Sequence, residues 1–129
     1  MSAYKVLIDS SVWIEYFNKG GIPKMDRLIE EDLVCINELI LTELAPVFMI
    51  KKETDILEGL QAIEMIPLHI DWDIIREYQW INLKKGINNV GIPDLIILNQ
   101  VIDQKISLFS FDKHFQLMLN HLTYDLIMA

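Results

Sequence analysis

Four carboxylates stand where a strand or helix would carry them to one end of a parallel sheet: Asp9, Glu43, Asp94 and Asp112. Asp9 closes the apolar run Val6-Leu7-Ile8, Glu43 follows Leu33-Val34-Cys35-Ile36, and Asp112 comes shortly after Ser107-Leu108-Phe109-Ser110. Open α/β sheets bind ligands outside the carboxyl ends of their strands, so acids delivered there share one crevice. Oxygen donors in that setting suit a hard divalent cation. Such a cation polarises a carbonyl or phosphoryl oxygen and activates water near neutral pH, which carboxylates alone cannot do.

Each acid also has a purely structural reading. Asp112 caps the helix that follows it. Asp94 in a first helical turn complements the helix dipole. Asp9 can serve as an ordinary polar residue at a strand end. Glu43 resists this treatment, because it lies between Leu41 and Leu44 in an apolar helix where an unpaired carboxylate is costly to bury. Asp26, Glu30, Glu31, Asp32 and Glu58 read as solvated faces, and Asp71 and Asp73 as a helix start. His114 and His121 are placed on one helical face, but no partner stands at a zinc-ligand spacing, so they read as surface or packing residues. No glycine-rich nucleotide fingerprint is present, and Ser10-Ser11 lacks a histidine base in a recognisable arrangement. Cys35 reads as a small core hydrophobe, and Trp13, Trp72 and Trp80 as core or interface anchors.

Short β-rich runs alternate with segments of helical period, which favours an α/β domain with a mainly parallel sheet. Strands are expected at Val6–Ile8, Leu33–Ile36, Met65–Leu68 and Ile106–Phe109, with a closing edge strand within Thr123–Met128. A helix from Ser10 to Asn18 is broken by Gly20-Gly21, and Pro23 opens another with Met25, Leu28 and Ile29 on one face. Asn37 is the expected N-cap of the helix carrying Glu43, which Pro46 should kink or end. Asp71 caps a helix running to about Lys85 and stopped by Gly86. The loop Ile87-Asn88-Asn89-Val90-Gly91 that follows is the natural place for a substrate contact. Pro93 then opens a largely buried helix with Asp94 in its first turn.

With 129 residues the chain is expected to form one domain over 1–129. Hydrophobic residues make up 52% and mean hydropathy is +0.27, yet no apolar stretch approaches the roughly 20 residues of a membrane helix. Met1-Ser2-Ala3-Tyr4-Lys5 lacks the charge and apolar run of a secretory signal, so the expectation is a cytoplasmic protein without membrane attachment. Eleven basic residues against 19 acidic ones give a net charge of -8, which excludes a broad basic groove for nucleic acid. Action on nucleic acid then requires bound metal to neutralise the site and a few local cations, with Arg76, Lys84, Lys85 and Lys113 available.

Ile8-Asp9-Ser10-Ser11-Val12-Trp13-Ile14, Thr42-Glu43-Leu44, Ile92-Pro93-Asp94-Leu95-Ile96-Ile97 and Ser110-Phe111-Asp112-Lys113-His114-Phe115 resemble, in order and spacing, the four acidic motifs of PIN-domain ribonucleases. The match is nearest to the VapC-like toxins of prokaryotic toxin-antitoxin pairs and spans essentially the whole chain. The resemblance implies a three-layer α/β/α sandwich with strand order 3-2-1-4-5, a Mg²⁺ or Mn²⁺ site, RNA cleavage, a homodimer and a small antitoxin partner. Carried over by position, Asp9, Glu43, Asp94 and Asp112 are the metal-binding acids, and Ser110 is the hydroxyl residue of the last motif, where threonine is commoner. On this reading Asp9 and Asp94 are the central ligands, with Glu43 and Asp112 on a second ion or orienting water. A catalytically idle PIN-like module that binds protein or RNA without cutting is the rival; the complete acidic set argues against it. A receiver-type phosphate acceptor needs adjacent acids after the first strand, where this chain has Ser10 and Ser11.

Overall fold

The computed structural model describes residues 5–128; Met1 to Tyr4, which bear on the secretory-signal expectation, lie outside the described residues. Five strands form one sheet: β1 (Val6–Ile8), β2 (Val34–Ile36), β3 (Glu64–Met65), β4 (Ser107–Phe109) and β5 (Asp125–Ile127). Their order is β3-β2-β1-β4-β5 and all four pairings are parallel. Strands β1, β2 and β4 are buried at every residue. That is why they read as continuous apolar runs, as strands covered on both faces must.

Seven helices cover the sheet: α1 (Ser10–Lys19), α2 (Pro23–Glu30), α3 (Glu38–Ile50), α4 (Thr54–Gln61), α5 (Trp72–Lys84), α6 (Ile92–Gln104) and α7 (Lys113–Met118). From β1 the chain steps outward to β2 and β3, then returns past β1 to β4 and β5. Right-handed crossovers in the two directions place the connecting helices on opposite faces. Helix α3 accordingly packs with α1 and α4, and α5 packs with α6. The three-layer α/β/α sandwich follows, and its topological switch point lies between β1 and β4.

Three elements differ from the sequence expectation. Helix α3 runs through Pro46 to Ile50 instead of ending there. A proline inside a helix costs about 3 kcal/mol. Leu44 and Phe48 are buried on either side of it, and Phe48 packs edge-on against Phe17. Burying a side chain of that size contributes about 1.5 to 3 kcal/mol, enough with Leu44 to hold the helix. Strand β3 begins at Glu64, aligned with Cys35, and stops at Met65, although the Ile66 amide still donates to the Ile36 carbonyl at 2.8 Å. Pro67 has no N–H with which to extend the ladder. Helix α7 ends at Met118, so His121 falls beyond it and shares no helical face with His114.

Candidate metal centre

The switch point is built from the ends of β1 and β4. The Asp9 amide donates to the Phe109 carbonyl at 2.9 Å, which extends the pairing by one residue and sets Asp9 beside Ser110. Asp9 is buried and turns the chain from β1 into α1 as its N-cap. Its Oδ1 accepts from the Ser10 amide at 2.9 Å, and its Oδ2 accepts from Ser11 Oγ at 3.2 Å and Ser110 Oγ at 2.7 Å. Burial pushes the Asp9 carboxyl above its ordinary value, and these three donors pull it back toward the ionised form.

Asp112 is likewise an N-cap, of α7, and its Oδ1 accepts from the His114 amide at 2.9 Å and stands 3.1 Å from His114 Nδ1. The Asp112 amide donates to Ser110 Oγ at 3.0 Å, so the Ser110 hydroxyl joins Asp9 to Asp112. The capping role expected of Asp112 is real, and it fixes the carboxylate at the crevice.

Asp94 sits in the first turn of α6, where Pro93 is pre-set for a helix start. Burial pushes its carboxyl up to about 7, and the charges of Asp112, Asp9 and Glu43 each push the same way. All four acids therefore face one electrostatic centre. Glu43 differs from expectation in its setting: it is exposed on α3, not buried among apolar neighbours. Partial desolvation and the charge of Asp9 still raise its carboxyl, opposed by a hydrogen bond with Ser10. The cost of burial is thus no argument for Glu43; its proximity to Asp9 is.

Among the described residues, Asp94, Asp112 and His114 each offer one ligand atom within 4.8 Å of the others. The sequence reading gave His114 only a surface or packing role, since it stands two residues from Asp112 across a helix cap and matches no zinc spacing. Ser10 and Ser11, set aside for want of a histidine base, hold the acids instead. Cys35 is buried, and burial pushes its thiol up to about 12, so it is an inert core group.

The family model of the PIN domain matches residues 6–118. The chain belongs to the PIN-domain family. No curated protein sequence matches it significantly. Among solved structures it is similar to VapBC2 from Rickettsia felis bound to a DNA fragment from their promoter, at 16% identity and a TM-score of 0.76, with 96% of this chain and 98% of that chain covered. It is also similar to VapBC-5 from Mycobacterium tuberculosis, a member of the VapBC toxin-antitoxin family, at 18% identity, a TM-score of 0.71 and coverage of 98% and 100%. A third similar structure is VapC20 from the same organism, a Sarcin-Ricin loop cleaving toxin, at 14% identity, a TM-score of 0.61 and coverage of 88% and 94%. At such identities the likeness shows the fold. Among the described residues of this PIN-domain chain, no helix is long and apolar enough to cross a membrane.

The PIN-domain centre fits a divalent cation by its donor chemistry. Gathered carboxylates disfavour their common ionised state, and at Asp94 this repulsion adds to the larger effect of burial. Carboxylate oxygens suit Mg²⁺ and Mn²⁺, while an imidazole such as that of His114 is a poorer ligand for Mg²⁺ than for a transition ion and so tilts the set from Mg²⁺ toward Mn²⁺.

Proposed function

We propose that this chain is a Mg²⁺- or Mn²⁺-dependent endoribonuclease and the toxin of a type II toxin-antitoxin pair, acting in the cytoplasm. One observation supports the reading most: Asp94, Asp112 and His114 offer ligand atoms within 4.8 Å of one another, and Ser110 Oγ joins the Asp9 carboxylate to the backbone of Asp112 beside them. Helix capping accounts for Asp9 and Asp112 singly but does not call for Glu43 and Asp94 beside them, and the mutual repulsion of the four is relieved by a cation. Such an ion, when bound, supplies a Lewis acid for the phosphodiester and makes nearby water more acidic. Asp94, Asp112 and His114 would hold it, and Asp9 and Glu43 would hold a second ion or orient water. Ser110 donates to the Asp9 carboxylate, which favours its ionised form, and accepts from the backbone amide of Asp112, which ties the two segments together. The whole chain, residues 1–129, acts as one PIN unit.

RNA as substrate and a small antitoxin as partner are supported by the likeness to VapBC complexes and to a Sarcin-Ricin loop cleaving toxin. A homodimer is supported by the exposed large apolar side chains Trp72, Trp80 and Leu83 of α5. The purified protein should cleave RNA with Mg²⁺ or Mn²⁺ and stop in EDTA. Cleavage that persists in EDTA and through Asp9→Asn would overturn the assignment. A neighbouring reading frame for a small protein with a DNA-binding half, whose product co-purifies and silences cleavage, tests the toxin role separately.

A further inference from the structure

An acidic chain must reserve a place for phosphate, and the structure sorts the four of its 11 basic residues singled out in the sequence, Arg76, Lys84, Lys85 and Lys113. Arg76 is engaged with Asp73 at 2.6 Å. Lys84 lies over the ring of Trp80, 4.9 Å from its centroid. Lys85 and Lys113, by contrast, line one groove between the α5–α6 loop and α7, together with Asn88, Asn89, His114 and His121. Among the described residues neither lysine has an ion-pair partner. No carboxylate lines the groove, although the chain carries 19 acidic residues. Its volume of about 660 Å³ lies within the range of sites that hold a small-molecule-sized group, roughly 300 to 1,000 Å³.

The walls of this groove are held rigidly. Helix α5 ends in a Schellman motif: Ile87 N–H donates to the Asn82 carbonyl at 2.8 Å and Gly86 N–H to the Leu83 carbonyl at 3.2 Å. That motif requires the left-handed conformation of Gly86, φ 78°, and it fixes Lys85 at the rim. Asn82 is fully buried and ties the opposite wall, donating to Met118 Sδ at 3.3 Å and accepting from His121 Nε2 at 2.8 Å. His114 belongs both to the groove and to the acidic centre, where its Nδ1 is 3.1 Å from Asp112.

We propose that this groove is the track that carries the phosphate backbone of single-stranded RNA to the acidic centre, with Lys85 and Lys113 each contacting one phosphate. The proposal rests on the nuclease reading above and adds the path of the substrate. Ammonium groups supply charge, and the amides of Asn88 and Asn89 supply hydrogen-bond donors for phosphate and sugar oxygens. Sequence-independent tracking of this kind is what an acidic protein needs so that its carboxylates do not repel the strand.

The test is the salt dependence of binding to a short fluorescent single-stranded RNA, read by anisotropy at a fixed concentration of Ca²⁺, a hard cation that neutralises the carboxylates, for wild type, Lys85→Ala, Lys113→Ala and the double variant. Each lysine removed should reduce the slope of log K against log salt by about 0.7, and the pair by about 1.4. Lys51→Ala with Lys52→Ala, on exposed residues at the far end of α3, should leave the slope unchanged. A double variant with the wild-type slope, a control pair that loses as much, or a wild type that binds no RNA would overturn the track. Cleavage of the same RNA with Mg²⁺ keeps the two ideas apart. Cleavage with lysine-independent binding removes the track and spares the nuclease; lysine-dependent binding without cleavage under any cation keeps the track and removes the nuclease.

Discussion

The side-chain amide of Asn37 donates to Gln100 Oε1 at 2.8 Å, joining residues 63 positions apart deep in the fold. Asn37 also caps α3 by accepting from the Ile40 amide at 2.8 Å, and Gln100 Nε2 donates to the Pro67 carbonyl at 3.1 Å. One buried network thus locks α3, which carries Glu43, to α6, which carries Asp94, and to the chain leaving β3. Buried polar groups of this sort are costly unless every member is satisfied.

Asn37→Ala should therefore destabilise the protein by about 2 to 4 kcal/mol, combining a lost cap of about 1 kcal/mol with the cost of leaving Gln100 unpaired. Asn37→Ser keeps a capping oxygen and should lose less. Urea melts of both, together with Gln100→Ala and the double variant, would show a coupling of about 0.5 to 3 kcal/mol between the two positions. Strict additivity would show that the contact does not join the helices.

Ser110→Ala removes the hydroxyl between Asp9 and Asp112, and with it a donor that lowers the raised carboxyl of Asp9. Stability should fall by about 1 to 3 kcal/mol, and metal affinity by about 10- to 100-fold, as for other groups that orient ligands. Ser110→Thr keeps the hydroxyl and should bind metal as wild type does. Calorimetric titration with Mn²⁺ checks both.

Much of this arrangement was legible in the sequence, because Asp9 and Asp112 each follow an apolar run short enough to be a strand buried on both faces. Val6–Ile8 and Ser107–Phe109 could be placed from that pattern, and with them Asp9, Ser110 and Asp112. Asn37, Asp71 and Gly86 announced helix ends through local hydrogen-bond chemistry that needs no tertiary information. Pro46 misled because its local cost is visible in sequence, whereas the burial of Leu44 and Phe48 that outweighs it is tertiary. Glu43 misled in the opposite sense, since an apolar neighbourhood along the chain does not say which way one side chain points. His114 was hidden because its role depends on the turn made by Asp112 as a cap, which brings Nδ1 back onto the carboxylate.

His114→Gln makes the contribution of that ring measurable. Carboxylates suit Mg²⁺ and Mn²⁺ alike, whereas an imidazole nitrogen is a better ligand for a transition ion such as Mn²⁺ than for the strictly oxygen-preferring Mg²⁺. The variant should lose affinity for Mn²⁺ by a larger factor than for Mg²⁺, and its cleavage rates with the two ions should converge. Equal losses for both would place His114 outside the ligand set and leave it as a support for Asp112.

Asp94→Asn separates a metal site from four unrelated acids by stability alone. The folded carboxyl lies near 7, against 3.8 as its ordinary value. Below about pH 4 both folded and unfolded chains hold the proton, so Asp94 imposes no penalty. As pH rises toward 7 the unfolded chain releases the proton and the folded one retains it, so the metal-free protein loses stability across that window and no further above it. Asp94 is partly exposed, so solvent screening limits the loss to on the order of 1 kcal/mol. In EDTA at pH 7, Asp94→Asn should therefore melt higher than wild type and show a flatter stability profile from pH 4 to 7. Added Mn²⁺ should raise the melting temperature of wild type by mass action and that of the variant much less. A variant that melts lower in EDTA, with both proteins indifferent to metal, would return Asp94 to a helix-start residue and remove the physical basis of the centre.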